Sequence, residues 1–375
     1  MNFDNNFIIP FEEIMNEKSS IDDQKARKLI IENASIFAVN EEGSKAIQKI
    51  YNDYPIDRDA IFNKIFPDIL NLSKTEKGNY VIQKIIECDP GNPDKRIMIL
   101  NKIKGHIKKL SIDDHGTYII QKLIENIQEE YLNEISKELE GHYYELIIDK
   151  NGNRVVQNLI KRQRKEENDK IYEEIKNDLI FLSKNIYGCR VIQELLNNCN
   201  EINYYKIFQE IFENINELIE DKSGNYLIQF FLDDKTIKNI KNLEIIYQAI
   251  KGHIYDFSFN KHSVYIIEKV LELGNELYKK SIINELLELD KVKKDCLTTL
   301  TKDQYGNHIV KMILMFSDMD TKKIIIEKIL SDNDIKNKKG YSNYVIDYVE
   351  ELNVMNNGIF EDLLRKINVI NKKYI

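Results

Sequence analysis

Apolar residues in this chain come in doublets separated by two other positions, and the pattern returns along nearly the whole length. In the segment Gly78-Asn-Tyr-Val-Ile-Gln83 and just beyond it, Val81, Ile82, Ile85 and Ile86 stand at i, i+1, i+4 and i+5. That is one apolar stripe on an α-helix. The same segment recurs as Gly116-Thr-Tyr-Ile-Ile-Gln121, Gly152-Asn-Arg-Val-Val-Gln157, Gly188-Cys-Arg-Val-Ile-Gln193 and Gly224-Asn-Tyr-Leu-Ile-Gln229. Weaker copies are Gly43-Ser-Lys-Ala-Ile-Gln48, Ser263-Val-Tyr-Ile-Ile-Glu268 and Gly306-Asn-His-Ile-Val-Lys311, with a ninth, degenerate one at Ser342-Asn-Tyr-Val-Ile-Asp347. The motifs end at 48, 83, 121, 157, 193, 229, 268, 311 and 347, and three consecutive steps are each 36 residues. A period of that size marks a solenoid, whose units bury their apolar faces only by stacking.

A second amphipathic stretch precedes each motif, as in Ile61–Leu72 and Ile171–Leu182, so each unit reads as several helices. The expected architecture is all-α: a right-handed α-solenoid of eight repeats of about 36 residues with N- and C-terminal caps. Residues 1–24 form a partly flexible N-terminal segment and 25–375 the repeat domain. A capping helix is expected over Ile21–Glu32, a shielding tail over Asp334–Ile375, and an extra loop around Asp290–Thr299. The motif glycine holds seven of the chain's 14 glycines, which calls for φ > 0 or for close approach to the neighbouring repeat.

Off the apolar stripe lie the first, second and fifth residues after the glycine. In the second copy these are Asn79, Tyr80 and Gln83. Asn79 and Gln83, four apart, share a helix face and carry both donors and acceptors, as the edge of an unpaired base demands. Tyr80 beside them offers a ring on which a base can stack. The other copies place Ser44, Lys45 and Gln48; Thr117, Tyr118 and Gln121; Asn153, Arg154 and Gln157; Cys189, Arg190 and Gln193; Asn225, Tyr226 and Gln229; Val264, Tyr265 and Glu268; and Asn307, His308 and Lys311. Arg replaces Tyr poorly in a core, so the shared register of Tyr, Arg and His points to an exposed role.

The net charge of −8 speaks weakly against a nucleic-acid partner, but the total does not fix the local field. Lys45, Lys49, Lys84, Lys122, Arg154, Lys161, Arg162, Arg190, Lys269 and Lys311 fall on the motif helices, and the acidic runs fall elsewhere. A neutral-to-positive binding face with an acidic exterior is therefore expected. Cys88, Cys189, Cys199 and Cys296 form no C-x-x-C pair, so no zinc or redox site is read and a reducing compartment fits. His106, His142 and His253, each after a glycine at the start of a repeat's first helix, read as structural. No phosphate loop, metal set or nucleophilic triad is present, so no enzyme and no cofactor is read. No secretory signal or membrane-spanning run is seen.

The segments Gly78–Lys84 and Tyr187–Gln193 resemble the repeats of the Pumilio (PUF) family, and the resemblance extends over roughly residues 25–350. It implies a crescent of eight three-helix repeats with single-stranded RNA antiparallel to the protein, one base per repeat. It further implies control of messenger RNA through the 3′ untranslated region, usually repression, in a cytoplasmic monomer with co-repressors on the convex face. Repeats one and five then resemble adenine readers and repeats two, four and six uracil readers. Glu268 resembles the guanine-reading acid with Val264 where Ser is usual, Thr117 leaves the third base open, and Lys311 stands where Gln is expected. The implied site is 5′-UGUAUNUA-3′. Two other readings are a sequence-blind relative acting in ribosome assembly, which should lack several of these triads, and a protein-binding α-solenoid, which would leave them without a purpose.

Overall fold

The computed structural model describes residues 24–88, 94–233, 238–293, 295–336, 340–356 and 358–365; within these every regular element is helical. The chain divides into two compact units. The first takes in residues up to 182 and 186–207, and the second takes in 183–185 and 208 onward.

Each repeat contributes three helices in the same order: an outer helix, a short helix and the motif helix. The motif helices are α1 (Glu41–Asp53), α2 (Gly78–Cys88), α3 (Gly116–Asn126), α4 (Gly152–Arg162), α5 (Gly188–Asn198), α6 (Asn225–Asp233), α7 (Lys261–Leu273), α8 (Gly306–Phe316) and α9 (Ser342–Met355). In the first unit, α1 to α5 pack one against the next, and in the second unit α6 to α9 do the same. The doublets make the core: Val81, Ile82, Ile85 and Ile86 are all but fully buried, as are Val155, Val156, Leu159 and Ile160. The N-terminal helix is Gln24–Glu32; the part expected before Gln24 lies outside the described residues.

Four local features depart from the sequence expectation. None of the motif glycines has a positive φ, and the close approach they make is to the short helix of their own repeat. A Cβ on Gly152 would lie 2.7 Å from Leu146 O, and one on Gly188 2.4 Å from Leu182 O. The same turn is fixed by a side chain three residues before the glycine. Asp149 Oδ1 accepts from Gly152 N at 2.7 Å, and Asp113, Asp221 and Asp303 do likewise in their repeats.

Among the glycines with φ > 0 are Gly105, Gly141 and Gly252, at +80° to +86°, which precede His106, His142 and His253 respectively. These pairs open the short second helix rather than the first. There they form a latch between repeats. Glu174 of the next outer helix accepts from Gly141 N (2.8 Å) and Tyr143 N (2.7 Å). Glu138 serves Gly105 and Ile107 in the same way, and Glu285 serves Gly252 and Ile254. These N–H groups begin a helix and have no partner within it, so a carboxylate satisfies them and complements the helix dipole. Glu174→Ala is expected to destabilise the chain by ~1.5–3 kcal/mol, the range for hydrogen bonds to a charged group, with a matching drop in denaturation midpoint by urea-monitored circular dichroism. An unchanged midpoint would mean that water replaces the latch at no cost.

The residues expected to form a loop at Asp290–Thr299 are mostly helical. The eighth outer helix runs on over Glu276–Lys293, and Cys296–Lys302 follows as the short helix. The longer step between repeats seven and eight is thus an elongated helix. The C-terminal region is also more than a tail. Met319–Ile329, Asn333–Lys336 and α9 repeat the outer, short and motif order, so the ninth copy of the motif belongs to a ninth three-helix unit.

Candidate nucleic-acid interface

The three polar positions of each motif differ sharply in exposure. The first-position residues Ser44, Asn79, Thr117, Asn153, Cys189, Asn225, Val264 and Asn307 are all buried. The second-position residues Lys45, Tyr80, Tyr118, Arg154, Arg190, Tyr226, Tyr265 and His308 are all exposed, Tyr80 and Tyr118 by half of their surface. The fifth-position residues lie between: Gln157 is buried, and Gln48, Gln83, Gln121, Gln193, Gln229, Glu268 and Lys311 are half-buried. The first and fifth residues therefore do not present two equal amides to solvent, as four-residue spacing alone suggests.

Burial commits the first-position side chain to the protein. Asn79 Nδ2 donates to Thr75 O (2.8 Å) and Glu76 O (2.7 Å), while its Oδ1 accepts from Gln83 Nε2 at 2.6 Å. Asn153 does the same with Asp149 O, Lys150 O and Gln157 Nε2, and Asn225 bonds Asp221 O and Gln229 Nε2. An amide nitrogen has two hydrogens, and in Asn79 and Asn153 both are spent on the helix start. What remains at the surface is a glutamine held by one N–H, leaving its second N–H and its carbonyl oxygen side by side. This donor–acceptor pair is positioned before any ligand arrives, which reduces the ordering cost of binding.

Repeats one and three reach the same end with a hydroxyl. Ser44 Oγ donates to Lys77 O (2.9 Å) in the next repeat and accepts from Gln48 Nε2 (3.1 Å). Thr117 Oγ1 lies 3.5 Å from Asn151 O, the equivalent carbonyl, and accepts from Gln121 Nε2 at 3.0 Å. Thr117 is as fully enclosed as Ser44, so its extra methyl sits beneath the face. Cys189 is buried with Sγ 3.6 Å from Ile186 O.

Repeats seven and eight are built differently. Val264 has no hydrogen to give or take, so Glu268 has no such partner four residues back. Burial lifts the Glu268 carboxyl above its ordinary range; His308, whose Nδ1 is 3.6 Å from Oε1, pulls it back down, as do Lys269 and Lys311. In repeat eight, Asn307 donates to Asp303 O and Gln304 O, but Lys311 replaces the tethered glutamine and lies with Nζ 5.6 Å over the Tyr348 ring of α9.

The charge of this face is lower than a count along the motif helices suggests. Lys45 pairs with Glu41, Lys122 with Glu87 and Glu125, Lys161 with Glu194, and Lys269 with Glu272. Arg162 spends its guanidinium on the carbonyls of Ile124 and Ile127. Most acids that neutralise these lysines stand on motif helices themselves, so the expected separation into a basic face and an acidic exterior does not hold for them.

Stacked three-helix units whose motif helices carry tethered glutamines beside exposed side chains define a helical-repeat protein. Seven segments (68–104, 106–140, 142–176, 179–212, 214–235, 253–287 and 297–330) match the Pumilio-family RNA-binding repeat. The chain belongs to the Pumilio family. Its structure is similar to a Puf3 RNA-binding domain bound to a Cox17 RNA 3′ UTR recognition sequence, with TM-score 0.74 and 27% identity over 92% of this chain and 98% of that one. A Puf4 RNA-binding domain shares the fold at TM-score 0.67 and 24% identity, covering 87% and 96% of the two chains. Among curated relatives, putative pumilio homolog 20 of Arabidopsis thaliana is 30% identical over 93 residues, covering 25% of this chain and 26% of that protein. Pumilio homolog 18 of the same plant is 30% identical over 106 residues, 28% of this chain and 30% of that protein. The matched segments thus span under a third of these relatives. No helix among the described residues is long and apolar enough to cross a membrane.

Proposed function

We propose that the motif-helix face binds single-stranded RNA in sequence-specific fashion, one base per repeat, with the eighth repeat at the 5′ end. The observation that carries this reading is the repeated glutamine, tethered from four residues back in repeats one, two, three, four and six, beside an exposed side chain suited to stacking at nearly every step. A donor next to an acceptor complements the N3–H and carbonyl of uracil or the N1 and amino group of adenine. In this reading the first-position residue divides the two: Asn marks uracil in repeats two, four and six, and Ser or Cys marks adenine in repeats one and five. Thr117 Oγ1 faces the equivalent carbonyl and holds its glutamine as Ser44 does, which supports reading repeat three as a further adenine reader and the site as 5′-UGUAUAUA-3′. Glu268, with acceptors only when ionised, complements the paired donors of guanine.

The paired lysines support this reading over a sequence-blind relative, since a binder without base readout depends on free positive charge. Messenger RNA is the proposed ligand, with the 3′ untranslated region as its setting and repression as the outcome; any co-repressor would dock away from the motif face.

Tyr226 provides a direct test. Tyr226→Ala is expected to weaken binding by ~1–3 kcal/mol, the range for one lost base–aromatic stack. In a fluorescence-anisotropy titration the loss should be nearly the same whichever base is placed opposite repeat six. A loss confined to one base identity would contradict the stacking role.

A further inference from the structure

Resting on the RNA-binding reading, we infer that His308 of repeat eight is a positioning residue for repeat seven: its imidazole holds the Glu268 carboxylate for guanine, in place of the partner that Val264 removes. In repeats one, two, three, four and six the edge side chain is held from four residues back on its own helix. Four residues back from Glu268 is the buried Val264, whose methyl groups neither give nor take a hydrogen bond. The ion pair of Glu268 instead crosses the repeat boundary, with His308 Nδ1 3.6 Å from Oε1. At that length the contact is electrostatic rather than a direct hydrogen bond. It arises because α7 and α8 pack side by side, which sets the stacking position of one helix beside the edge position of the other.

The second observation concerns charge. His308, Lys269 and Lys311 all act on the Glu268 carboxylate, and the two lysines are committed elsewhere. Lys269 of α7 pairs with Glu272 at 3.2 Å, and Lys311 of α8 has its Nζ 5.6 Å over the Tyr348 ring of α9. Burial raises the Glu268 carboxyl and Glu272 adds to the rise, while His308 opposes it more than either lysine does. A base laid on repeat seven takes water from this carboxylate, and a buried charge without a partner is costly. Guanine supplies N1–H and N2–H to the two oxygens, and each oxygen has a second lone pair, so Oε1 can face His308 as well. Protonated His308 keeps the carboxylate ionised with both acceptors available. Adenine, with an acceptor at N1, gains nothing from that. The His308 side chain is 58% exposed, which leaves ring surface for a base beside its contact with Glu268.

The test measures guanine preference at repeat seven in the whole chain, as the ratio of affinities for 5′-UGUAUAUA-3′ and 5′-UAUAUAUA-3′. The ratio is followed from about pH 6 to about pH 8, the window in which an unperturbed histidine loses its proton. The wild-type preference is expected to fall as pH rises, because the protonated ring is the form that holds the carboxylate; ionisation of Glu268 would make it rise instead. His308→Tyr keeps a ring, the side chain of this position in repeats two, three and six. It should lower the preference about tenfold at the acid end, the scale of a contact to a charged group, and abolish the fall. His308→Arg, whose charge does not titrate, should keep the preference across the whole range. In the Glu268→Gln background, His308→Tyr should no longer move the ratio. A wild-type preference that does not fall with pH, or an equal effect of His308→Tyr with and without the Glu268 carboxylate, overturns the inference. Failure of the wild type to bind the first octamer, or equal binding of the two RNAs, would instead sink the underlying RNA-binding reading and this inference with it.

Discussion

Changing Asn225 to Ser together with Gln229 to Glu is expected to turn the sixth repeat from a uracil reader into a guanine reader. The wild-type Gln229 is held by Asn225 Oδ1 at 2.6 Å, which leaves one N–H and one carbonyl oxygen for the base. The carboxylate that replaces it in the variant has acceptors only, and the new serine hydroxyl, free to rotate, can turn its hydrogen toward it. Uracil's carbonyl oxygen would then face a carboxylate, whereas guanine N1–H and N2–H would each find an acceptor. The octamer with U at its third position should lose ~1–3 kcal/mol and the G-substituted octamer should gain a similar amount, if the cost of one mismatch on DNA transfers to RNA. Unchanged preference in competition titrations would contradict the assignment of one base to one repeat. The double change matters: Gln229→Glu alone would set the new carboxylate against Asn225 Oδ1.

Gly188→Ala should cost about 3 kcal/mol, the upper end of the overpacking range. A Cβ there meets Leu182 O at 2.4 Å, and the atom in the way is backbone, which cannot rotate aside. Relief requires the short helix Leu179–Lys184 to move away from α5. Chemical denaturation followed by circular dichroism should show the loss, and RNA binding by the folded fraction should persist with the same base order. By contrast, Gly105→Ala would meet no atom within 4 Å and would suffer only from its φ of +80°. Equal stability of Gly188→Ala and wild type would mean that the glycine is not held there by packing.

The repeat and the register of its three polar positions are legible in the sequence because both depend on short-range periodicity. Val81, Ile82, Ile85 and Ile86 announce a helix stripe, and the 36-residue return of Gln announces a shared role. What escaped was whatever depends on contacts a whole repeat away or on depth. The Glu174 latch joins residues 31 and 33 apart, and nothing local distinguishes Glu174 from Glu173. Lys122 counts as free charge along the chain, yet Glu87 of the preceding repeat takes it up. Four-residue spacing set Asn79 beside Gln83 correctly but could not tell that Asn79 is enclosed. The Asp149-x-x-Gly152 cap was within reach, since an aspartate three before a helix-opening glycine is a local signal. The supposed loop at 290–299 failed for a plainer reason: an insertion in a helical repeat can be absorbed by lengthening a helix, as Glu276–Lys293 shows.

The central claim is specific readout, and one titration tests it most directly. The whole chain is titrated against fluorescent 5′-UGUAUAUA-3′ and against the same RNA with UGU changed to ACA, at physiological salt. Tight binding of the first and a loss of ~10³-fold or more on the second is the predicted result, three mismatches of ~1–3 kcal/mol each. Equal binding of the two RNAs would contradict it.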